Sequence, residues 1–337
     1  MTGETVLVAG ASGFIGGRLV RRLAERGHRV RALVRERSDR RGLAGLPVEF
    51  HVGALSDPDA LNEAADGAGC VYNCAGKSAD WGAWSEFREV NVEGAANLVR
   101  AAARAGTVRR FVHVSTTDVY GYPTRPCSEN VPPRDVGLPY NRSKLLGERE
   151  VRRAAAEGGV PLTIVRPVSV YGPGSKDFVV EVANLLLRGQ MMYVRGGRAP
   201  AGLVYVDNVA DAMIAAAAAE SAVGGVYNLR DNEETTWREY LRALARGLGV
   251  GEPKLNLPAP IATGLALAFE AVYGALRLRG RPMLTRHAVH LFERNQLFPI
   301  DRARHDFAFD GDVGFEDGMR RTIDWLGSEE GRRHVKR

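Results

Sequence analysis

The chain opens on a short apolar run, Thr5–Ala9, that passes directly into Gly10-Ala11-Ser12-Gly13-Phe14-Ile15-Gly16 and then into a helical pattern over Phe14–Arg26. No other feature limits the architecture as tightly. A β-rich run that turns on glycine into a helix is the first half of a βαβ crossover, and such crossovers build parallel sheets. Glycine lets the backbone turn sharply and lets a pyrophosphate approach, its charge met by the helix N-terminus. The spacing is Gly-x-x-Gly-x-x-Gly, which differs from the longer dinucleotide fingerprint. Gly10, Ser12, Gly13, Phe14, Ile15 and Gly16 are therefore candidate phosphate-loop residues, although a bare tight turn uses glycine in the same way.

The first half of the chain repeats this alternation. Strands are expected at Arg29–Val34, Val48–His51, Cys70–Asn73, Arg110–Ser115 and Leu162–Arg166, with helices at Asp57–Ala65, Ser85–Arg104 and Tyr140–Ala156. The implied fold is α/β, a Rossmann-type doubly wound parallel sheet over residues 1–174. From about Ser175 the pattern loosens. Helices near Lys176–Arg188, Asp207–Glu220 and Trp237–Leu248 alternate with short strands at Leu203–Val206 and Val226–Leu229, and Gly249–Pro260 leads into an apolar helix. Residues 175–337 read mainly as a smaller substrate-binding lobe over the sheet's C-terminal edge, with some segments returning to the Rossmann core.

The net charge of +6 is concentrated. Residues 18–41 hold ten Arg against Glu25, Glu36 and Asp39, which leaves the rest of the chain about neutral. No zinc-finger spacing, RNA-binding aromatic motif or heptad accompanies that stretch, so it reads as a solvated helix face with a phosphate site, and no nucleic-acid partner is expected. Cys70, Cys74 and Cys127 cannot all pair, and none has metal spacing with His partners; a reducing compartment and no metal follow. The beginning of the sequence has neither a basic n-region nor a long h-region, and the expected location is cytoplasmic.

Three features point to dinucleotide chemistry. At the end of the second expected strand an acidic residue would bond the ribose of NAD, and an Arg would accommodate the 2′-phosphate of NADP. Val34 stands there, followed by Arg35, which favours NADP over NAD. Tyr140 and Lys144 lie four residues apart at the start of a helix and share a face. A nearby ammonium and a positive nicotinamide ring would favour the phenolate of Tyr140, and Lys144 could also hold the nicotinamide ribose. His113-Val114-Ser115-Thr116-Thr117-Asp118-Val119-Tyr120-Gly121 ends a strand in hydroxyls, where one of them can polarise a carbonyl.

Together these motifs resemble the extended short-chain dehydrogenase/reductase family. The resemblance covers nearly the whole chain: Gly10–Gly16, Asn73-Cys74-Ala75-Gly76, Asn91-Val92-Glu93-Gly94, Ser115–Gly121, Tyr140–Lys144, Arg166-Pro167 through Tyr171-Gly172-Pro173, Val206-Asp207-Asn208, and Glu316-Asp317-Gly318 to Trp325. It implies Tyr140 as general acid/base, Lys144 as its electrostatic partner and Thr116 as the carbonyl-binding hydroxyl, three residues before Val119. It also implies that Cys74, Ala75, Gly76 and Ser115 line the dinucleotide, that Asn91 supports the site, and that Pro167 and Val170 flank the nicotinamide. Gly53-Ala54-Leu55 departs from the family's Gly-Asp-Leu: a carboxylate toward adenine is missing, while Leu55 can still pack on the ring.

Within the family, Trp81-Gly82-Ala83-Trp84 and Leu284-Thr285-Arg286 resemble the 3-beta-hydroxysteroid dehydrogenase branch. That branch interconverts secondary alcohols and ketones on hydrophobic substrates, sterol-like or long-chain, with Lys77, Ser78, Trp81 and Trp84 near the pocket rim. The alternative on the same fold is a nucleotide-sugar epimerase or dehydratase, although Thr117-Asp118 lacks the first carboxylate of a dehydratase. A non-catalytic dinucleotide sensor is disfavoured because Tyr140 and Lys144 both stand. A homodimer is an open alternative. Residues 258–281 read either as a helix buried against the substrate lobe or as an interfacial helix resting on a membrane, with Arg277, Arg279 and Arg281 at anionic head groups.

Overall fold

The computed structural model describes residues 3–278 and 280–335. Every strand expected in the first half forms within one residue of its anticipated ends: β1 Thr5–Ala9, β2 Arg29–Val34, β3 Val48–Val52, β4 Cys70–Asn73, β5 Arg110–Val114 and β6 Leu162–Pro167. They join Val226–Leu229 in one seven-stranded sheet, ordered Val226–Leu229, β6, β5, β4, β1, β2, β3, with all neighbours parallel. The β1 pairings Val6 with Val30 on one side and Val6 with Cys70 on the other mark the point where the strand order reverses. At such a switch point the strand ends part and leave a crevice for a ligand.

Helices α1 (Phe14–Glu25), α2 (Pro58–Ala65), α3 (Trp84–Phe87), α4 (Ala95–Ala105) and α5 (Pro139–Gly158) connect the strands. One sheet face packs on α2, α4 and α5 through Leu7, Leu61, Leu98, Phe111 and Val151, all fully buried. The other carries Leu19 and Leu23 of α1 and the side chains of α7 (Val206–Ala218). The helix expected over Ser85–Arg104 runs from Trp84 to Ala105, but widens into π-helical turns at Arg88–Gly94. The wide turns take in Asn91, which is buried, and such bulges recur at functional sites.

The basic stretch has a structural answer. Arg18, Arg22 and Arg26 recur every four residues on α1 and meet Asp207 and Asp211, four apart on α7. Arg18 grips Asp207 with two bonds of 2.6 and 2.8 Å, Arg22 lies 3.3 Å from Asp211, and Arg26 lies 2.8 Å from Asp211. The ladder docks two helices to one another on the same sheet face.

After β6 the chain adds two short parallel pairs, Ser169–Tyr171 with Leu203–Tyr205 and Met192–Val194 with Leu255–Leu257. Helices α6 (Glu181–Leu187), α8 (Trp237–Leu248), α9 (Ala259–Ala275) and α10 (Arg286–Glu293) build the lobe over the C-terminal strand ends. Its centre is Trp237, fully buried, with Phe292 at 4.3 Å and Phe178 at 6.1 Å between ring centroids and an indole N–H donating to Leu291 O at 2.8 Å. The α8 N-terminus is closed by Thr236 and Glu239, each bonding the other's backbone N–H. Helix α9 buries one stripe alone, Ala259, Ala262, Ala266 and Glu270, so the expectation of a helix buried in the lobe holds for that stripe and no further.

Candidate active site

A cavity of about 930 Å³ runs from the glycine turn, past the ends of β4 and β5, to the C-terminal lobe. Its floor at one end is Ser12, Gly13, Phe14 and Ile15. Gly10 and Gly16 lie behind them and make the turn possible: Gly10 has φ +75° and would place a Cβ 2.7 Å from Ala75 N, and a Cβ on Gly16 would lie 2.2 Å from Gly10 O. Gly13 precedes helix α1 at its N-cap position, so the helix has no side-chain cap, and its first turn has no acidic residue. Its leading N–H groups are thus left for an anion. The loop after β4 supplies Cys74, Ala75, Gly76, Lys77 and Ser78 to the wall, and β6 and the segment after it supply Pro167 and Val170.

Not every anticipated residue reaches the cavity. Arg35 is exposed at the end of β2; the wall there is Arg18, Arg21, Asp39, Gly42 and Leu43. Leu55 packs beneath Gly94 and against the core face of α2 and α4. Trp81 lines the cavity, whereas Trp84 lies outside its wall, with the Arg142 guanidinium 5.0 Å from its ring centre. Asn91 also sits behind the wall. It accepts from Lys77 N at 2.7 Å, and its amide donates to Lys77 O at 3.1 Å and Ser143 Oγ at 2.9 Å. Asn91 therefore ties the β4 loop to α5 and positions the site.

Pro139, at the first position of α5, starts the helix that brings Tyr140 and Lys144 to the wall beside Ser115 and Thr116. Asn141, facing the other way, donates to Asp118 O at 2.7 Å and Arg134 O at 3.0 Å and anchors this helix start to the β5 loop. Thr116 Oγ1 accepts from Asp118 N at 3.2 Å, which orients its hydroxyl. The Lys144 ammonium donates to Val114 O at 2.6 Å. Burial lowers its pKa from 10.5 to about 8.

The folded cavity gives Tyr140 surroundings that its spacing from Lys144 does not show. Burial, and then the carboxylates of Asp118 and Asp177, push its phenol above the ordinary value, while the Thr116 and Ser78 hydroxyls pull the other way. The chain by itself holds Tyr140 protonated. Desolvation is the largest cause, and in a site so dry the carboxylates of Asp118 and Asp177 add to it.

The lobe adds residues that no local motif flagged. His287 of α10 stacks on Tyr140, ring centres 5.7 Å apart at 19°, and its Nε2 makes an ion-pair contact of 3.0 Å with Asp118 Oδ2. Burial works against a charge on His287, but Asp118, Asp80 and Asp177 lift its pKa above the ordinary value. Asp80 accepts two bonds of 2.6 Å from Arg281 and one of 2.6 Å from Thr285 Oγ1. Asp177 accepts from Ser78 Oγ at 3.0 Å, and burial raises its pKa. The apolar walls here include Trp81, Met191, Met283 and Leu284. The residues missed in the sequence are His287, Asp80 and Asp177, which converge on the cavity only once the lobe has folded over the sheet, although the Leu284-Thr285-Arg286 motif beside His287 was legible.

An uncapped helix start on a glycine turn, next to a buried Tyr–Lys pair and a strand-end hydroxyl, is a site suited to a nicotinamide dinucleotide. Residues 6–229 match the NAD dependent epimerase/dehydratase family. The chain belongs to that family. It is 30% identical over 325 residues to the 2-alkyl-3-oxoalkanoate reductase of Stenotrophomonas maltophilia, covering 94% of this chain and 97% of that protein. It is 28% identical over 326 residues to the 3 beta-hydroxysteroid dehydrogenase/Delta 5-->4-isomerase of Mycobacterium tuberculosis, covering 90% and 85%. Among solved structures, that of gox2253 superimposes with a TM-score of 0.82 at 28% identity, covering 99% of this chain and 100% of the other. MoeE5 in complex with UDP-glucose and NAD gives 0.74 at 25% identity, covering 96% and 98%. The resemblance to the extended short-chain dehydrogenase/reductases, with 3-beta-hydroxysteroid dehydrogenase-like relatives, is thereby borne out, as is the Rossmann-type fold.

Proposed function

We propose that this family member interconverts a secondary alcohol and a ketone on a hydrophobic, sterol-like or long-chain 3-oxo substrate, with NADP(H) preferred over NAD(H). One observation carries the reading: Thr116, Tyr140 and Lys144 share a wall of a single cavity whose one end is the glycine turn and whose other end is the apolar lobe. Ser12–Ile15, Cys74–Gly76, Ser115, Pro167 and Val170 would hold the dinucleotide. When bound and reduced, it supplies two electrons and a proton, as hydride, to the carbonyl carbon. Thr116 Oγ1 bonds the carbonyl oxygen and steadies the negative charge that develops there. Tyr140, kept protonated by burial and by Asp118 and Asp177, delivers the proton to that oxygen, which suits the reductive direction. Lys144, charged at neutral pH, supports the resulting phenolate until a proton returns from solvent.

For the cofactor choice, β2 ends in Val34 with no carboxylate, Arg21 lines that end of the cleft, and Arg35 follows Val34 on the adjoining surface. Against the nucleotide-sugar reading, the substrate end carries Asp80, Asp118, Asp177 and Glu181. Of the cations a diphosphate would need, Arg281 is engaged by Asp80 and Glu181 and Lys77 by Glu86, leaving Lys176.

The test is turnover of neutral sterol-like ketones, long-chain 3-oxo acids and nucleotide sugars with each cofactor, read by nicotinamide absorbance. Tyr140→Phe should bind cofactor and lose about 10²–10⁴-fold in turnover, and Thr116→Ser should be milder than Thr116→Val. Wild-type turnover by Tyr140→Phe would sink the mechanism, and activity confined to nucleotide sugars would sink the substrate class.

A further inference from the structure

Of the twelve large hydrophobic side chains exposed among the described residues, seven lie between Ile261 and Met283, so the apolar surface is gathered on α9 and the segment after it. The helix buries one narrow stripe. Its remaining exposed positions, Pro260, Ile261, Gly264, Leu265, Leu267, Ala268, Ala271, Val272, Gly274 and Ala275, include no charged or polar side chain. Ile261 is 53% exposed, Leu265 41% and Val272 48%. A helix apolar all round belongs in a core or a lipid phase, and apolar patches of this kind mark contact sites. No helix among the described residues is long and apolar enough to cross a membrane.

We infer that α9 rests on an anionic lipid surface and opens the substrate cavity toward it. Two observations select lipid over a protein partner. The first is charge. The one carboxylate of α9, Glu270, is buried and held by Arg286, whose Nε donates to it at 2.6 Å and backbone N–H at 2.7 Å, so the exposed arc offers nothing to repel acidic head groups. Arg277 follows the helix, and its guanidinium has no partner among the described residues; Arg281 pairs with Asp80 and Glu181, and Arg279 lies outside the described residues. The second is continuity. Tyr273 of α9 meets Trp81 edge to face at 6.4 Å, and Trp81 and Met283, the latter 62% exposed, line the cavity itself. The apolar face thus leads to the cavity mouth. A protein seated there would cover the entrance, whereas a bilayer would deliver an apolar substrate to it.

The binding is independent of the reaction proposed above and is read without turnover. The full chain should co-sediment with vesicles of 30% phosphatidylglycerol in phosphatidylcholine at low salt, and less with phosphatidylcholine alone. High salt should weaken the binding, and Arg277→Glu should weaken it about fivefold or more. Leu265→Glu/Val272→Glu, at exposed positions, should retain the wild-type thermal midpoint and lose binding. Absence of wild-type binding to the acidic vesicles at low salt would overturn the inference without need of any variant. So would a dimer broken by Leu265→Glu/Val272→Glu with no vesicle binding, which would assign the face to a second copy of this chain.

Discussion

Lys144→Met removes an ammonium that the fold holds at a cost. The side chain is buried, 6% exposed, and its pKa falls from 10.5 to about 8. At about 1.4 kcal/mol per pKa unit, keeping the charged form in place costs about 3 kcal/mol. At pH 7 the folded and unfolded chains both carry the proton, and that cost is present in full. Between pH 8 and 10.5 the folded chain releases its proton first, the unfolded chain binds more protons, and stability rises with pH. From pH 7 to pH 10 the gain amounts to about 2.5 kcal/mol. Lys144→Met has no such proton to release. Urea unfolding of both proteins at pH 7, 8, 9 and 10, compared at each pH so that shared groups cancel, isolates this residue. The wild type should gain on the variant by about 2.5 kcal/mol over the series. Parallel curves would refute the burial-driven shift.

Three further outcomes are expected. NADPH should bind at least about tenfold more tightly than NADH, and Arg35→Ala should erode the difference; equal titrations of both cofactors in the wild type would remove that inference. Gly16→Ala, whose Cβ would lie 2.2 Å from Gly10 O, should lower the thermal midpoint and abolish dinucleotide binding, and wild-type affinity would show that the turn can yield. Glu148→Gln should destabilise the fold by about 3–5 kcal/mol by leaving Arg166 charged and buried without its carboxylate. Both partners are 3% exposed and joined by bonds of 2.8 and 2.6 Å. Arg166 holds the Glu148 pKa below its ordinary value despite burial, so this contribution is present above the unfolded carboxyl's pKa and is lost as pH falls through the folded one. A urea-derived change under about 1 kcal/mol would mean that the pair is not the buried interaction it resembles.

What the sequence determined by itself is local. The alternation of β-rich runs and helical periods placed β1 to β6 to within a residue, because backbone preference and side-chain period act over neighbours. The glycine turn was legible for the same reason, as was the Tyr140–Lys144 pair, since one turn of α5 puts both on one wall. Tertiary structure decided whatever depends on groups distant in the chain. His287 reaches Tyr140 and Asp118 from the opposite lobe. Asp207 and Asp211 turn Arg18, Arg22 and Arg26, which read as part of a solvated helix face, into a helix-docking ladder. The surroundings of Tyr140 are tertiary for a related reason: spacing revealed the nearby ammonium, but only the folded cavity sets the desolvation of the phenol and brings Asp118 and Asp177 to bear. Burial also decided α9, whose apolar composition fits a core helix and a surface one equally. The neighbours that cover Ala262 and Ala266 and leave Leu265 and Val272 open come from elsewhere in the chain.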